Sequence, residues 1–354
     1  MKKISLLILS LLGIAFLTFS QKRIADTDAS LFSIKIDKND TVSFIITDTT
    51  FTQKKPIIVF LQGSLPIPIV IEYKANYTQL TFLANFNYQN FIDKYNFVII
   101  SKPHIPAIAQ EETLNSNYEY VPDLKSPKKS SSEYLDDNYL EMYVKRARAV
   151  IDFLRKQKWV DKSNISFVGH SEGAMVAIST YKQKPKQIKA VGFFSGSVDG
   201  AFSIGIVNGR KQQIIKNINA LDTQGQINVE WDFWKDCNKG IDKYNFGKAD
   251  LKSRISFGRS FREDLIKMKK PLFLAFGTED YPKCIGYDPL PIYFELEGKT
   301  NYKMYPIVGG DHNFDELDSN GNLIGKEHCT EVMNEFTKWL ETQDQTSTNE
   351  KQKK

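Results

Sequence analysis

The chain has 354 residues, enough to bury a large core, and its 41% hydrophobic and 25% charged content is that of an ordinary globular protein rather than a disordered or fibrous one. The 47 basic residues against 42 acidic ones form no concentrated basic field. Without residues 1–20, which hold Lys2 and Lys3 and no acid, 45 basic residues face 42, so nothing points to nucleic acid.

Met1 to Ser20 reads as a secretory signal: Lys2-Lys3, an apolar stretch from Ile4 to Phe19, and Thr18-Phe19-Ser20 as a small-x-small cleavage site before Gln21. The mature protein is then expected to be exported, periplasmic or secreted. An uncleaved N-terminal membrane anchor is the second reading, because the apolar stretch approaches the roughly 18 residues that can span a bilayer. Past residue 20 there is no second such run, so no stable membrane insertion is expected once the signal is removed.

Leu31 to Ile36 alternates apolar and polar, and Thr41 to Thr47 alternates again after Lys38-Asn39-Asp40, which predicts two half-buried antiparallel strands. Ile57 to Leu61 is a continuous apolar run, as in a strand covered on both faces. A helix carrying Leu80, Leu83 and Phe86 is expected next, then a strand over Phe97–Ile100. Residues 102–137 read as a long surface excursion. Leu140, Tyr143, Val144, Ala147, Val150, Ile151 and Leu154 recur at helical spacing, with Lys145, Arg146 and Arg148 expected on the solvated face.

The run Ile165–Val168 leads into Gly169-His170-Ser171-Glu172-Gly173 and then Ala174–Ile178. Strand, sharp turn and helix in that order are the context of a Gly-x-Ser-x-Gly nucleophile elbow, in which a serine at positive φ projects its hydroxyl from the top of a strand. Ala190 to Phe194 is a further strand. Residues 198–268 interrupt the β-α alternation, hold the cluster Trp231, Phe233 and Trp234, and are expected to be an inserted cap. In that reading the core comprises 21–197 and 269–341. Strands at Leu272–Phe276 and Tyr302–Val308 and a helix over Glu327–Leu340 complete it. From Thr342 to Lys354 the chain reads as a disordered tail. Alternating β and α behind two antiparallel strands predicts an α/β fold, a mostly parallel sheet with helices on both faces, whose chemistry collects at the carboxyl ends of the strands.

A serine hydroxyl becomes a useful nucleophile when a base takes its proton and a carboxylate orients that base. Of the four histidines, His170 sits inside the elbow and should point away from Ser171, His104 and His328 read as structural, and His312 in Gly309-Gly310-Asp311-His312 follows the last strand, where a base is needed. Asp280, in Phe276-Gly277-Thr278-Glu279-Asp280, is preferred over Glu279 as the carboxylate, and Asp311 reads as a loop-stabilising residue. Asp315, Asp318, Asn320 and Asn322 fail the calcium-loop pattern and read as a solvated turn, so no metal site is expected. Cys237, Cys284 and Cys329 fit no zinc spacing. Either Cys237 and Cys284 form a disulfide tying the cap to the acid-bearing loop, or all three are buried thiols.

The segments LQGS, GHSEG, FGTED and GGDHNF, in the order nucleophile, acid, base, resemble those of the α/β-hydrolase superfamily, in particular its serine esterases and the hydrolase domains of prolyl-oligopeptidase-like enzymes. The resemblance covers roughly residues 55–340. It implies an oxyanion hole made by the backbone N–H groups of Ser64 and Glu172, with Gln62 standing where many members have histidine. It also implies acyl transfer to water without a cofactor, on a small-molecule or peptide acyl substrate. Residues 21–54 are too short for the β-propeller of the oligopeptidases, so a carboxylic ester hydrolase is expected, with a small serine peptidase or a non-catalytic binding protein as alternatives. Trp231, Phe233 and Trp234 would supply apolar surface to the substrate if the cap roofs the site.

Overall fold

The computed structural model describes residues 19–38, 40–81, 86–126, 130–241 and 247–352. The expected export signal therefore lies outside the described residues except for Phe19 and Ser20, which belong to the first strand, β1 (Phe19–Arg23). This strand pairs antiparallel with β2 (Ser30–Lys35), and β2 with β3 (Thr41–Ile46). The register sets Phe32 opposite Phe44, with rings 5.6 Å apart, and Ser33 opposite Ser43, with hydroxyls 2.8 Å apart, so one face is apolar and the other polar as a period of two requires.

The apolar run predicted as a covered strand is β4 (Lys55–Leu61), and Ile57 to Leu61 are all buried. The chain then leaves the main sheet to form β5 (Val70–Tyr73) and β6 (Tyr77–Leu80), returns for β7 (Asn96–Ile100), and adds β8 (Ile108–Gln110) beside β5 in a small separate sheet. Leu80 thus ends a strand where a helix was expected, and Leu83 lies outside the described residues. Tyr77–Leu80 instead pairs with Val70–Tyr73 in an antiparallel ladder, which overrides the helical spacing of its apolar residues.

Helices α1 (Ser132–Asp137) and α2 (Leu140–Leu154) precede β9 (Val160–His170), α3 (Glu172–Gln183) and β10 (Val191–Phe194). Four helices follow: α4 (Ala201–Ile215), α5 (Ala220–Asn238), α6 (Lys248–Gly258) and α7 (Arg262–Lys267). They fill the interruption between β10 and β11 (Leu272–Gly277). Then come α8 (Tyr281–Tyr287), α9 (Leu290–Leu296), β12 (Tyr302–Ile307), the hairpin β13 (Asp315–Leu317) and β14 (Leu323–Glu327), and α10 (Cys329–Gln352). The last helix extends past Thr342 to Gln352, a stretch in which no glycine or proline stops it, and Lys353 and Lys354 lie outside the described residues.

The main sheet has the order β1-β2-β3-β7-β4-β9-β10-β11-β12, parallel from β7 onward. Residues of its central strands alternate between two cores. Ile57, Val59 and Phe167 meet Val150, Leu154 and Ile178 from α2 and α3, whereas Ile58, Phe60, Val168 and Phe273 join a second cluster with Phe336 and Leu340 from α10. Helices on both faces are what an all-apolar parallel strand requires. Among the described residues no helix is long and apolar enough to cross a membrane. Cys237, Cys284 and Cys329 are buried thiols, and no disulfide joins Cys237 to Cys284.

Arg146 departs from the solvated face expected for it. It is 3% exposed, donates to Asp40 Oδ1 at 2.8 Å and to the Ser101 carbonyl at 3.2 Å, and so ties α2 to the turn before β3 and to the end of β7. Lys145 stays at the surface, 2.6 Å from Asp37. Arg146→Met should lower stability by about 2 to 3 kcal/mol, because it leaves the partly buried Asp40 without its nearest ion-pair partner and the Ser101 carbonyl without a donor. A denaturant midpoint unchanged from wild type would show that solvent replaces both bonds.

Candidate active site

Ser171 follows the last residue of β9 and adopts φ 57°, ψ −120°, strained for a residue with a Cβ. Three backbones hold it there. A Cβ on Gly169 would stand 2.0 Å from the Gly173 carbonyl oxygen, and one on Gly173 would stand 2.1 Å from the Leu61 carbonyl oxygen, so strand, helix and neighbouring strand meet closer than any side chain permits. The Ser171 N–H donates to the Phe194 carbonyl at 2.8 Å, fixing the turn to β10.

Two further loops converge on the Ser171 hydroxyl. Gly277 at the end of β11 has no room for a Cβ either, which would meet the Asp311 carbonyl oxygen at 2.1 Å, and the Glu279 N–H donates to the Gly310 carbonyl at 2.8 Å. The loops after β11 and β12 are thereby fastened together, which sets Asp280 Oδ2 2.7 Å from His312 Nδ1. His312 Nε2 lies 3.0 Å from Ser171 Oγ. The Asp311 carboxylate accepts from the backbone N–H groups of Asn313 and Asp315, the loop-stabilising place expected of it. The three residues chosen from the sequence thus form one hydrogen-bonded chain, and Glu279 lies outside it.

The remaining histidines have other surroundings. His170 is buried, its Nε2 donates to the His312 carbonyl at 2.9 Å, and its pKa is pushed down to about 3, first by loss of solvent and then by the neighbouring His312. A neutral His170 pins the backbone of the loop that carries His312. His104 pairs with Asp137 at 2.8 Å, and His328 lies between Glu316 and Glu331. Asp318 accepts from the N–H groups of Asn320 and Asn322 in a solvated turn, and no group of His, Cys, Asp or Glu among the described residues is arranged to hold a metal ion.

Beside Ser171 lies a cavity of about 460 Å³ lined by Phe60, Gln62, Gly63, Ser64, Leu65, Ile67, Thr81, His170, Ser171, His312 and Asn313. Gly63 lies against Ser171, since a Cβ there would be 3.3 Å from Ser171 Cβ. The next residue, Ser64, is anchored through its carbonyl, which accepts from Tyr134 Oη at 3.0 Å. Glu172 is the first residue of α3, where an N–H has no carbonyl within the helix to bond and the helix dipole favours negative charge. Gln62 Nε2 donates to the carbonyl and hydroxyl of Thr81, so the side chain in the place of the usual histidine links β4 to the end of β6. Trp231, Phe233 and Trp234 do not line this cavity. Trp234 packs against Phe202, Phe233 and Gly258, so its ring is used inside the four-helix insertion, and Trp231 is 48% exposed.

Two lysines escaped the sequence reading. Lys102, just past β7, is buried 3.9 Å from the Glu172 carboxylate, and loss of solvent pulls it down to about 8 while burial pushes Glu172 up. Lys283, in the first turn of α8, has its Nζ 3.4 Å from Ser171 Oγ. The signal for Lys283 was local: it lies three residues beyond Asp280 at a helix start, so its side chain comes back over the same loop.

No protein-family model matches the chain, and no curated protein matches it. Among solved structures it is similar to the glucuronoyl esterase from Solibacter usitatus, at 13% identity and a TM-score of 0.50, covering 92% of this chain and 86% of that one. It is also similar to a protein described as a dipeptidyl aminopeptidase IV from Bacteroides ovatus, at 11% identity and a TM-score of 0.50, covering 89% of this chain. The chain spans 35% of that protein's length. At such identities the likeness is one of fold, and the fold is that of the α/β hydrolases.

Gly173→Ala should destabilise the protein by at least about 2 kcal/mol, because the added methyl meets a backbone carbonyl that cannot rotate away. Calorimetry checks this, and a melting temperature equal to wild type would show that β4 and α3 can separate without loss.

Proposed function

From the α/β-hydrolase fold and the chain Asp280, His312, Ser171, we propose that this protein is an exported serine hydrolase that cleaves a carboxylic ester. The observation that carries the reading is His312, hydrogen-bonded through one ring nitrogen to Asp280 and through the other to a serine held at positive φ.

In this reading Ser171 Oγ attacks the substrate carbonyl while its proton passes to His312 Nε2. Asp280 keeps the Nδ1–H tautomer and stabilises the imidazolium that forms. The backbone N–H groups of Ser64 and Glu172 receive the developing oxyanion, each contributing about 3 kcal/mol of transition-state stabilisation. His312 then protonates the leaving alkoxide, and water, activated by the same imidazole, releases the acyl group. The reaction as written needs no cofactor.

The cavity of about 460 Å³ is of the size that holds small ligands, and Phe60, Leu65 and Ile67 give it apolar walls for an acyl or aryl group. The insertion α4–α7 is read as a cap, inside which the Trp234 ring packs against Phe202, Phe233 and Gly258. A small peptidase is the second reading, favoured by a fold likeness to the aminopeptidase equal to that for the esterase. Export rests on residues 1–20.

A fluorophosphonate probe should label the wild-type protein, and Ser171→Ala should abolish labelling while leaving the melting temperature within a few degrees. His312→Ala should reduce ester turnover by at least about 10³-fold, since the members of a triad act as a unit. Labelling that persists in the Ser171 variant would sink the assignment, and turnover of peptides over esters in a substrate panel would select the second reading.

A further inference from the structure

Lys283 Nζ stands 3.2 Å from His312 Nδ1 and 3.2 Å from His312 Nε2, and donates to the Ser195 carbonyl at 2.9 Å. Neither ring nitrogen is available to it as an acceptor: Nδ1 is engaged with Asp280 at 2.7 Å and Nε2 with the Ser171 hydroxyl at 3.0 Å. The amine therefore faces the imidazole as a charge rather than as a hydrogen-bonding partner. It is equidistant from the two atoms over which an imidazolium would spread its own positive charge.

The placement is built into the backbone. Ser195, the residue after β10, is fully buried at φ 46°, a second strained serine on the strand end next to that of Ser171. Its hydroxyl has no hydrogen-bond partner among the described residues, and its N–H donates to the Ala275 carbonyl in continuation of the sheet. What this turn delivers to the site is its carbonyl, and the carbonyl's side-chain partner is Lys283.

The groups facing Lys283 are Asp280 at the start of its own helix, Glu172 from α3, His312 from the loop after β12 and His170 at the end of β9, with Lys211 of α4 lying over the adjoining Tyr281 ring. Both carboxylates have nearer partners, Asp280 in His312 and Glu172 in Lys102. Burial outweighs their attraction, and Lys283 is pulled down to about 8.

We propose that Lys283 is a further catalytic residue that gates the base: His312 takes the Ser171 proton only when Lys283 is a neutral amine, so the enzyme works on the alkaline side of neutrality. The inference rests on the serine-hydrolase reading above. The ammonium first gives its proton to solvent. The Ser171 proton then moves to His312 Nε2 as the Oγ–carbon bond forms, and the imidazolium passes that proton to the leaving group as the carbon–oxygen bond breaks. Lys283 stays neutral through the cycle.

The test is the pH dependence of kcat/KM for p-nitrophenyl acetate and of fluorophosphonate labelling of Ser171, between pH 5 and pH 10, in wild type, Lys283→Met and Lys283→Arg. The wild-type rising limb should have its midpoint near the value of about 8 at which Lys283 deprotonates. Lys283→Met should move that midpoint down by at least about one pH unit, so that activity at pH 6, relative to its own plateau, exceeds wild type about tenfold. Lys283→Arg, whose guanidinium does not deprotonate in this range, should stay low throughout. An unmoved midpoint in Lys283→Met, or an Arg variant with wild-type activity, overturns the inference while leaving Ser171 as nucleophile. Ser171 unlabelled at every pH in all three proteins would sink the serine-hydrolase reading and this inference with it.

Discussion

The site depends on one steric fact: at the end of β9 three backbones meet with no space for a Cβ at Gly169 or Gly173. Leu61 of β4 and Gly169 of β9 are register partners in the parallel sheet, so the carbonyl that crowds Gly173 belongs to the strand whose following loop carries Gly63 and Ser64. The contact that forces Ser171 upward thus also sets the loop beside it. A strained φ costs about 1 to 3 kcal/mol. The strain persists because β9 is central, paired on one side with β4 and on the other with β10 and covered by α3. An edge strand could relax, and this one cannot.

Charge is the second constraint. Ser171 has buried or half-buried ionisable groups on several sides, and two of them have a close opposite partner: Lys102 lies 3.9 Å from the Glu172 carboxylate, and Asp280 lies 2.7 Å from His312 Nδ1. Lys283 is the exception, because its nearest acceptor is a neutral carbonyl. Two unit charges 3.2 Å apart repel by about 5 kcal/mol at an effective dielectric constant of 20, several times the worth of an ordinary hydrogen bond. In the proposed reaction the proton leaving Ser171 is therefore placed on His312 at lower cost when the Lys283 amine is neutral.

The readable parts of the chain were those whose physics is local. Apolar runs such as Ile57–Leu61, the elbow pattern at 169–173, and the glycine-bearing loops holding Asp280 and His312 each declare themselves within about ten residues. What was not readable depends on distance along the chain. Arg146 sits on a helix face that looks solvated, and Asp40, 106 positions earlier, together with the Ser101 carbonyl makes its burial tolerable. Leu80 has apolar neighbours at helical spacing, yet the ladder with Val70 decides its conformation. The insertion hid its helices because α4 scatters apolar residues around its circumference and contains Gly205 and Gly209, one of which makes room for Glu230 of α5. Local periodicity does not encode that kind of packing.

The two sides of Ser171 consequently differ in kind. Toward β4 and β6 it opens on the cavity with apolar walls from Phe60, Leu65 and Ile67, whose shape is set by the long excursion after β4 and by the Gln62–Thr81 bonds. Toward α8 it meets a desolvated ammonium held by a strained carbonyl, and α8 in turn packs against α4, where Lys211 covers Tyr281. The insertion thus reaches Ser171 through the element that carries Lys283, not through its tryptophans. Any displacement of α4 that admits water to α8 would restore solvent to the amine and raise its proton affinity, because desolvation is what holds it down.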